Sequence, residues 1–463
     1  MARPELTLVL GLGESGLAMA RWLARQGVAL RVADSRDTPP GIERLRAEAP
    51  AAEIVTGPFA DRLLDGVSRL AISPGLDPRQ PLVEAARARG IPVIGEMDLF
   101  AQALRDLGLR ETTRLIAITG TNGKTTTTTL VGEMLCGVGL DGVVAGNISP
   151  ATLDVIMARQ DAGEPMPQAW ALELSSFQLE TGSALGAASA TVLNVTDDHL
   201  DRYAGLDDYA ATKAAVFAGE GVQVLNRDDA RVMAMALAGR RVFTFGLDAP
   251  AGPDDFGVLD VDGTEWLARG SELLVKRSEM QLAGSHNVAN ALAGLALCEA
   301  AGLPRAGLVA ALKRFRGLPH RVEKVAERAD GVTYYDDSKG TNVGATVAAL
   351  EGLRRKVVLI AGGDGKGQDF SPLKEAFARY ARAVVLIGRD AAAIEAAVAG
   401  CGVELVHAAD MDAAVLLADA RAQAADVVLL SPACASLDMF RNYAHRAQVF
   451  IDAVKRLHGV SPE

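Results

Sequence analysis

Glycines, one lysine and a threonine run follow an apolar stretch at Leu115-Ile116-Ala117-Ile118-Thr119-Gly120-Thr121-Asn122-Gly123-Lys124-Thr125-Thr126. A strand that runs into such a loop and then a helix can hold ATP phosphates. Backbone N–H groups freed by the glycines point inward and the helix start adds its positive end. Lys124 can reach the β- and γ-phosphates, and the Thr125 hydroxyl can ligate Mg²⁺. Strict Walker spacing needs a glycine where this chain has Ile118, so the loop is a shortened variant. Glu173 follows an apolar run and His199 lies just past another, at strand ends where open α/β sheets bind ligands. A carboxylate and an imidazole there are reasonable Mg²⁺ ligands, although Mg²⁺ prefers oxygen. On its residues alone, His199 beside Asp197 and Asp198 reads more readily as a capping or core histidine than as a ligand. Lys213, in a helical stretch over 206–218, reads as a solvated lysine.

A second glycine loop, Gly11-Leu12-Gly13-Glu14-Ser15-Gly16, lies between strand and helix near the start, and Asp34 ends the next strand about twenty residues on. That spacing matches the dinucleotide fingerprint. Its physics is less particular, because any nucleoside diphosphate suits a backbone that approaches closely at a helix N-terminus. NAD, implying an oxidoreductase, and a UDP-linked substrate both remain open. Ser73-Pro74-Gly75 follows another strand and can close the same pocket or merely turn the chain.

Cations and small polar groups recur toward the C-terminus. Arg321 and Lys339 can meet ATP phosphates across a closing interface, and Asp337 can hold a ribose or order Lys339. Asn287 and Asn290 open a helix, where asparagine often only caps. Gly362-Gly363-Asp364-Gly365-Lys366-Gly367 resembles a phosphate loop but lacks a hydroxyl after the lysine, so Lys366 suits a carboxylate. Ser436 and Leu437 are expected to begin a helix whose free N–H groups would grip another carboxylate. No Ser/His/Asp or Cys/His set supplies a protein nucleophile.

The elements that must position these groups repeat one pattern three times: apolar strand, glycine turn, amphipathic helix, next strand. The fold class is therefore α/β with mostly parallel sheets. Strands are expected at 6–10, 28–33, 169–174, 190–195, 356–361, 383–387 and 426–430, and helices at 17–25, 209–217 and 288–301. The stretch 248–262, rich in Gly, Asp and Pro, reads as a loop or hairpin excursion. At 463 residues the chain has room for about three domains. A net charge of −11 without a basic run argues against nucleic acid. Four widely spaced cysteines fit reduced core thiols. The N-terminus lacks the apolar region of a signal peptide and no segment is long enough to span a membrane, so a cytoplasmic enzyme is expected.

Seven segments, in order, resemble the Mur ligases of peptidoglycan synthesis. They are Gly120 to Thr126, Glu173-Leu174-Ser175-Ser176-Phe177-Gln178-Leu179, Asn194 to Asp201, Gly284 to Asn290, Gly317-Leu318-Pro319-His320-Arg321, Asp336 to Asn342, and Leu430 to Asp438. The shortened phosphate loop is itself the family's form. The resemblance covers the whole chain and implies three domains: a Rossmann-like UDP-substrate domain (1–107), a central ATP-binding domain (108–317) and a Rossmann-like C-terminal domain that takes the amino acid (318–463). It is strongest to the branch that joins D-glutamate to UDP-N-acetylmuramoyl-L-alanine with ATP. Lys124, His199, Lys213 and Arg321 would then be catalytic. Gly120, Thr121, Asn122, Gly123, Lys124, Thr125, Thr126, Asn287, Asn290, Arg321, Asp337 and Lys339 would bind ATP. Two Mg²⁺ ions would be held by Thr125, Glu173, His199 and Lys213, the last as a carbamate formed with CO2. The UDP-substrate would meet Gly13, Glu14, Ser15, Asp34, Ser35, Arg36, Ser73, Gly75, Asn147 and His199. D-Glutamate would meet Thr341, Lys366, Ser436, Leu437 and Tyr443, where Tyr443 stands in place of an expected Phe. The resemblance further implies a monomer acting on small molecules, whose third domain closes over the second.

Overall fold

The computed structural model describes residues 5–182, 185–198, 202–457 and 459–462. Three sheets follow one another along the chain. In the first, the apolar runs Leu6–Leu10, Ala29–Asp34, Glu53–Thr56, Val67–Ile72 and Val93–Ile94 form five parallel strands in the order third, second, first, fourth, fifth. Strand order reverses between the first and fourth strands, which opens a crevice beyond their C-terminal ends. The loop Gly11–Gly16 and Ser73 both lie there. The helix after the loop, Glu14–Arg25, starts three residues before Leu17, with Gly13 at its cap and Glu14 in its first turn.

The second sheet has nine strands, with Arg114–Thr119 third from one edge, between Ser189–Val192 and Ala169–Glu173, both parallel to it. It runs parallel as far as Asp255–Val261 and then turns antiparallel through Thr264–Arg269 and Glu272–Lys276. The Gly/Asp/Pro-rich stretch therefore includes the first strand of a hairpin. The third sheet has seven strands around Val427–Leu430, which lies parallel between Val357–Gly362 and Thr333–Asp336. Its antiparallel margin is Glu323–Arg328 paired with Val460–Pro462.

Packing divides the chain unevenly. One buried apolar cluster runs from Val9 to Val232 and so belongs to both the first and second sheets, with Phe100 meeting Trp170 edge-on at a centroid distance of 4.8 Å. The opposite face of the second sheet has its own cluster, from Ile116 to Phe315. The two clusters of the third sheet draw their buried residues only from Val322 onward. No described helix is long and apolar enough to cross a membrane.

Candidate active site

The strand Arg114–Thr119 is buried from Leu115 on, so its end is fixed, and the chain leaves it through Gly120 at φ +151°. A side chain at Gly120 would press on Leu193, and one at Gly123, at φ +82°, would strike Asn290 Oδ1 at 2.5 Å. Both glycines are thus required by conformation and by close approach. Asn194 clamps the loop, accepting from Asn122 N–H at 2.8 Å and donating back to its carbonyl at 3.1 Å. Asn290 Nδ2 reaches Asn287 Oδ1 at 3.3 Å, and Asn287 donates to the Ala283 carbonyl at 2.7 Å. The two asparagines therefore form a wall behind the loop as well as a helix start.

Two amines converge on one carbonyl. Lys124 Nζ donates to the Gly120 and Thr121 carbonyls, each at 2.8 Å, and Lys213 Nζ donates to the Gly120 carbonyl at 2.9 Å. Lys213 is 1% exposed and lies 4.4 Å from the Tyr209 ring centroid, so the expectation of a solvated lysine is overturned. Its helix, Leu206–Ala214, turns Tyr209, Ala210 and Lys213 inward and its acidic first turn outward. Burial, reinforced by the Lys124 charge, pulls the Lys213 amine down to about 6. Burial also lowers Lys124, against the pull of Glu173.

Glu173 ends its strand at 3% exposure, with Oε1 accepting from Asn147 Nδ2 at 2.9 Å. Its Oε2 is buried and has no hydrogen-bond partner among the described residues. A buried carboxylate oxygen without a partner is costly unless something cationic meets it. Together with the Thr125 hydroxyl this is an oxygen donor set that fits Mg²⁺. His199 lies outside the described residues.

Across from the loop, Arg321 Nη2 donates to Thr125 Oγ1 at 2.9 Å, a contact spanning 196 residues of sequence. Burial holds this guanidinium below its ordinary pKa, opposed first by Asp337 and then by Glu173. Lys339 Nζ lies 3.8 Å from the Tyr443 ring centroid, a close cation–π contact. A cavity of about 410 Å³ is lined by Thr121 to Thr125, Asn147 and Glu173 on one side and Arg321, Lys339, Thr341, Asn342 and Tyr443 on the other.

Not every expected residue faces that cavity. Asp337 is 7% exposed, accepts from Ser431 Oγ at 2.7 Å, and is pushed up to about 7 by burial. It braces the loop that carries Lys339. Thr126 is buried behind the loop in the helix Lys124–Gly137. Lys366 is exposed at φ +51° on the turn after Val357–Gly362, and Leu437 is 68% exposed; neither lines the cavity, nor does Ser436. Ser436 and Leu437 do not begin a helix. The Ser436 carbonyl accepts from Met439 and Phe440 N–H in a single turn, and the next helix waits until Tyr443–Lys455, capped by Asn442.

The N-terminal loop is a separate cradle. Gly11 is at φ +85° against Ser73, and a side chain at Gly16 would collide with the Gly11 carbonyl, whereas Gly13 faces open space. Asp34 accepts from Leu12 N–H at 2.7 Å and from Arg36 Nε at 2.8 Å. Arg36, with two backbone N–H groups, holds the Asp34 carboxyl down to about 2 despite burial. Asp34 thus fastens the glycine loop to the next strand end. Ser35, Arg36 and Gly75 are exposed around it, and Glu14 accepts from Ser149 Oγ at 2.8 Å. Glu96, buried at the junction of the first two sheets, was not singled out in the sequence, where an acid after a glycine reads as an ordinary helix start.

Residues 5–95 match the Mur ligase MurD-like N-terminal domain, 118–298 the Mur ligase middle domain and 320–434 the Mur ligase glutamate ligase domain. UDP-N-acetylmuramoylalanine–D-glutamate ligase of Aromatoleum aromaticum is 65% identical over 451 residues, covering 97% of each chain. The protein of that name from Dechloromonas aromatica is 57% identical, covering 97% of this chain and 98% of its own. Among solved structures, UDP-N-acetylmuramate-alanine ligase MurC from Thermotoga maritima shares the fold at a TM-score of 0.57 and 18% identity, covering 97% of this chain and 99% of that one. MurF from Acinetobacter baumannii does so at 0.58 and 17%, covering 84% and 86%. With each of its three parts matched and relatives more than half identical over nearly its full length, the chain belongs to the Mur ligase family.

Proposed function

We propose that this protein joins D-glutamate to UDP-N-acetylmuramoyl-L-alanine at the cost of ATP, the step for which its relatives are named. As a Mur ligase it is an ATP-dependent amide-forming ligase. The observation that carries the reading is the single cavity in which the phosphate loop and Glu173 face Arg321, Lys339 and Thr341 from the third sheet. The domains assigned are 1–107 for the UDP-substrate, 108–317 for ATP and 318–463 for the amino acid.

Chemistry follows from placement. The loop amides from Gly120 to Thr125 cradle the ATP phosphates, and Lys124 exchanges its two carbonyl partners for phosphate oxygens. The L-alanyl carboxylate attacks the γ-phosphorus in line, ADP leaves, and an acyl phosphate forms. Lys124 and Arg321 neutralise charge through a loose transition state that needs mostly positioning. The neutral amine of D-glutamate then adds to the acyl carbon, and the tetrahedral adduct expels phosphate to leave an amide. Thr341, Tyr443, Ser436, Leu437 and Lys366 are assigned to the incoming amino acid. Mg²⁺ would be held by Thr125 and Glu173, with His199 and Lys213, and would draw charge from the phosphates. Lys213, largely an uncharged amine at neutral pH, is a nucleophile for CO2, and the resulting carbamate, formed with loss of a proton, would put a pair of anionic ligand oxygens where the amine stood. The glycine loop with Asp34 and Ser73 takes the uridine diphosphate end. The proposed setting is the cytoplasm, and the proposed active form is a monomer that meets only small molecules.

Phosphate release measured with ATP, Mg²⁺ and UDP-N-acetylmuramoyl-L-alanine tests the reading directly. Phosphate is expected with D-glutamate and not with L-glutamate or without an amino acid. Release with L-glutamate alone would move the substrate, and silence from folded protein would overturn the ligase reading.

A further inference from the structure

Glu96 is 2% exposed at the first turn of the helix Glu96–Asp106, yet it does not cap that helix. Asp98 does so, accepting from Gly95 N–H at 2.8 Å. The Glu96 side chain instead crosses to the second sheet, where Oε1 accepts from Thr152 N–H at 3.0 Å and Thr152 Oγ1 at 2.9 Å. The Ser15 hydroxyl leans on the same carboxyl, while Oε2 is buried without a well-formed partner among the described residues. Burying a carboxyl this deeply is unfavourable; Glu96 does not cap its own helix but takes the first N–H of the helix Thr152–Ala162, whose own cap residue Ala151 offers no side-chain acceptor.

Ser15 belongs to the diphosphate loop. Thr152 opens the helix Thr152–Ala162, and the segment just before it carries Ser149, which donates to Glu14, and Asn147, which donates to Glu173. One carboxyl therefore stands between the loop assigned to the uridine diphosphate and the strand end assigned to the phosphoryl groups. Gly95 is pressed so close to the second sheet that a side chain there would meet Thr181 Oγ1 at 2.7 Å, which fixes the backbone that aims Glu96.

We propose that Glu96 is a positioning residue that sets the register between the two ends of the UDP-linked substrate, holding the diphosphate loop at a fixed offset from Asn147 and Glu173. This rests on the assignment of the two sites above. A substrate that bridges both ends depends on that register, whereas UDP alone, ATP and D-glutamate each touch one end.

Calorimetric binding of UDP-N-acetylmuramoyl-L-alanine and of UDP alone, together with KM for ATP and D-glutamate, separates the possibilities. For Glu96→Ala the full substrate is expected to bind about tenfold more weakly, about 1.4 kcal/mol, with UDP alone and the other two KM values within about twofold. Glu96→Gln keeps an acceptor for both Thr152 donors and should recover most of the affinity. Thr152→Val, which removes one donor, should lose about threefold for the full substrate. Unchanged affinity in a folded Glu96→Ala protein overturns the proposal, and so does a loss shared equally by UDP, ATP and D-glutamate, which is general loosening. If Glu96→Ala does not fold, unchanged affinity in Thr152→Val overturns it. Failure of the wild-type protein to bind the full substrate would instead count against the function assigned above.

Discussion

The seam between the first and second sheets and the seam between the second and third are built from different materials. At the first, the apolar core passes without a break from Val9 to Val232. Arg21, its side chain 8% exposed, is bonded to Glu48 on its own side and Asp154 on the other, and Arg25 forms a two-pronged pair with Asp161 at 2.6 and 2.7 Å. Arg202, paired with Glu180 on its own side, adds a bond to the Leu76 carbonyl across the seam at 2.9 Å. At the second seam the buried clusters stop on either side; Ala283 and His286 pack against the helix Val343–Leu353, and the other contacts are polar: Arg321 with Thr125, Asn342 with Asn122 at 3.3 Å, Arg354 with Glu265 at 3.1 Å. Substrate recognition on this account sits on a welded joint and phosphoryl transfer on a separable one. On the proposed function, which must admit ATP, exclude water and release ADP, a hinge is expected at the second joint.

The sharpest way to break this contrast is Arg321→Ala. Removing a cation that meets the phosphate loop only across the second seam should cut turnover by about 10³-fold, while calorimetric affinity for the UDP-linked substrate stays unchanged. A comparable loss in that affinity would mean the two seams are not independent. Next in size is Phe100→Ala, which removes the ring seated on Trp170 at the first seam. A destabilisation of about 3–5 kcal/mol is expected from chemical denaturation, in a transition shared by the first two units, and a separate transition for the first unit alone would refute the weld.

The second seam carries its own pH dependence. His286 fills the space between the backbones of Gly284 and Gly352, is bonded to the Ala348 backbone, and is held down to about 4 by burial. The unfolded chain takes up this proton as pH falls through 6.5 and the folded chain does so only near 4. Its contribution to stability is therefore complete above 6.5 and lost on acidification between those values, reaching about 3 kcal/mol at pH 4. Melting curves from pH 7 to pH 4.5 should flatten in His286→Asn, and an unchanged slope would place the acid sensitivity elsewhere. Smallest of all is Tyr443→Phe. The ring that holds Lys339 is kept, so kcat/KM should change by less than about twofold, and a larger loss would assign the hydroxyl a part of its own.

Much of the scaffold was legible because buried parallel strands are short apolar runs, and runs such as Leu6–Leu10 and Val427–Leu430 appear where the sequence places them. The phosphate loop was legible because Gly120, Gly123 and Lys124 are close in sequence and act through backbone geometry. Lys213 was not, since its short helix has no strong apolar stripe and only packing against Tyr209 and the Gly120 carbonyl buries it. The Ser436 turn was misread because nothing local shows that the chain leaves the helical path before Asn442. Arg321 and Thr125 were each identified, but their contact is a property of how two sheets meet. Glu96 escaped altogether, because its partners lie 81 residues back and 56 ahead.

The unbroken core of the first seam also constrains how the chain is made. Met97 and Phe100 share that cluster with Trp170, so the outer side of the helix Glu96–Asp106 stays uncovered until the helix Thr152–Ala162 and Trp170, the latter 70 residues beyond Phe100, have left the ribosome. At ordinary synthesis rates that interval is about ten seconds. Through it the nascent protein carries an exposed apolar helix, a window in which chaperones can act, whereas the third sheet, with cores of its own, is free to fold last.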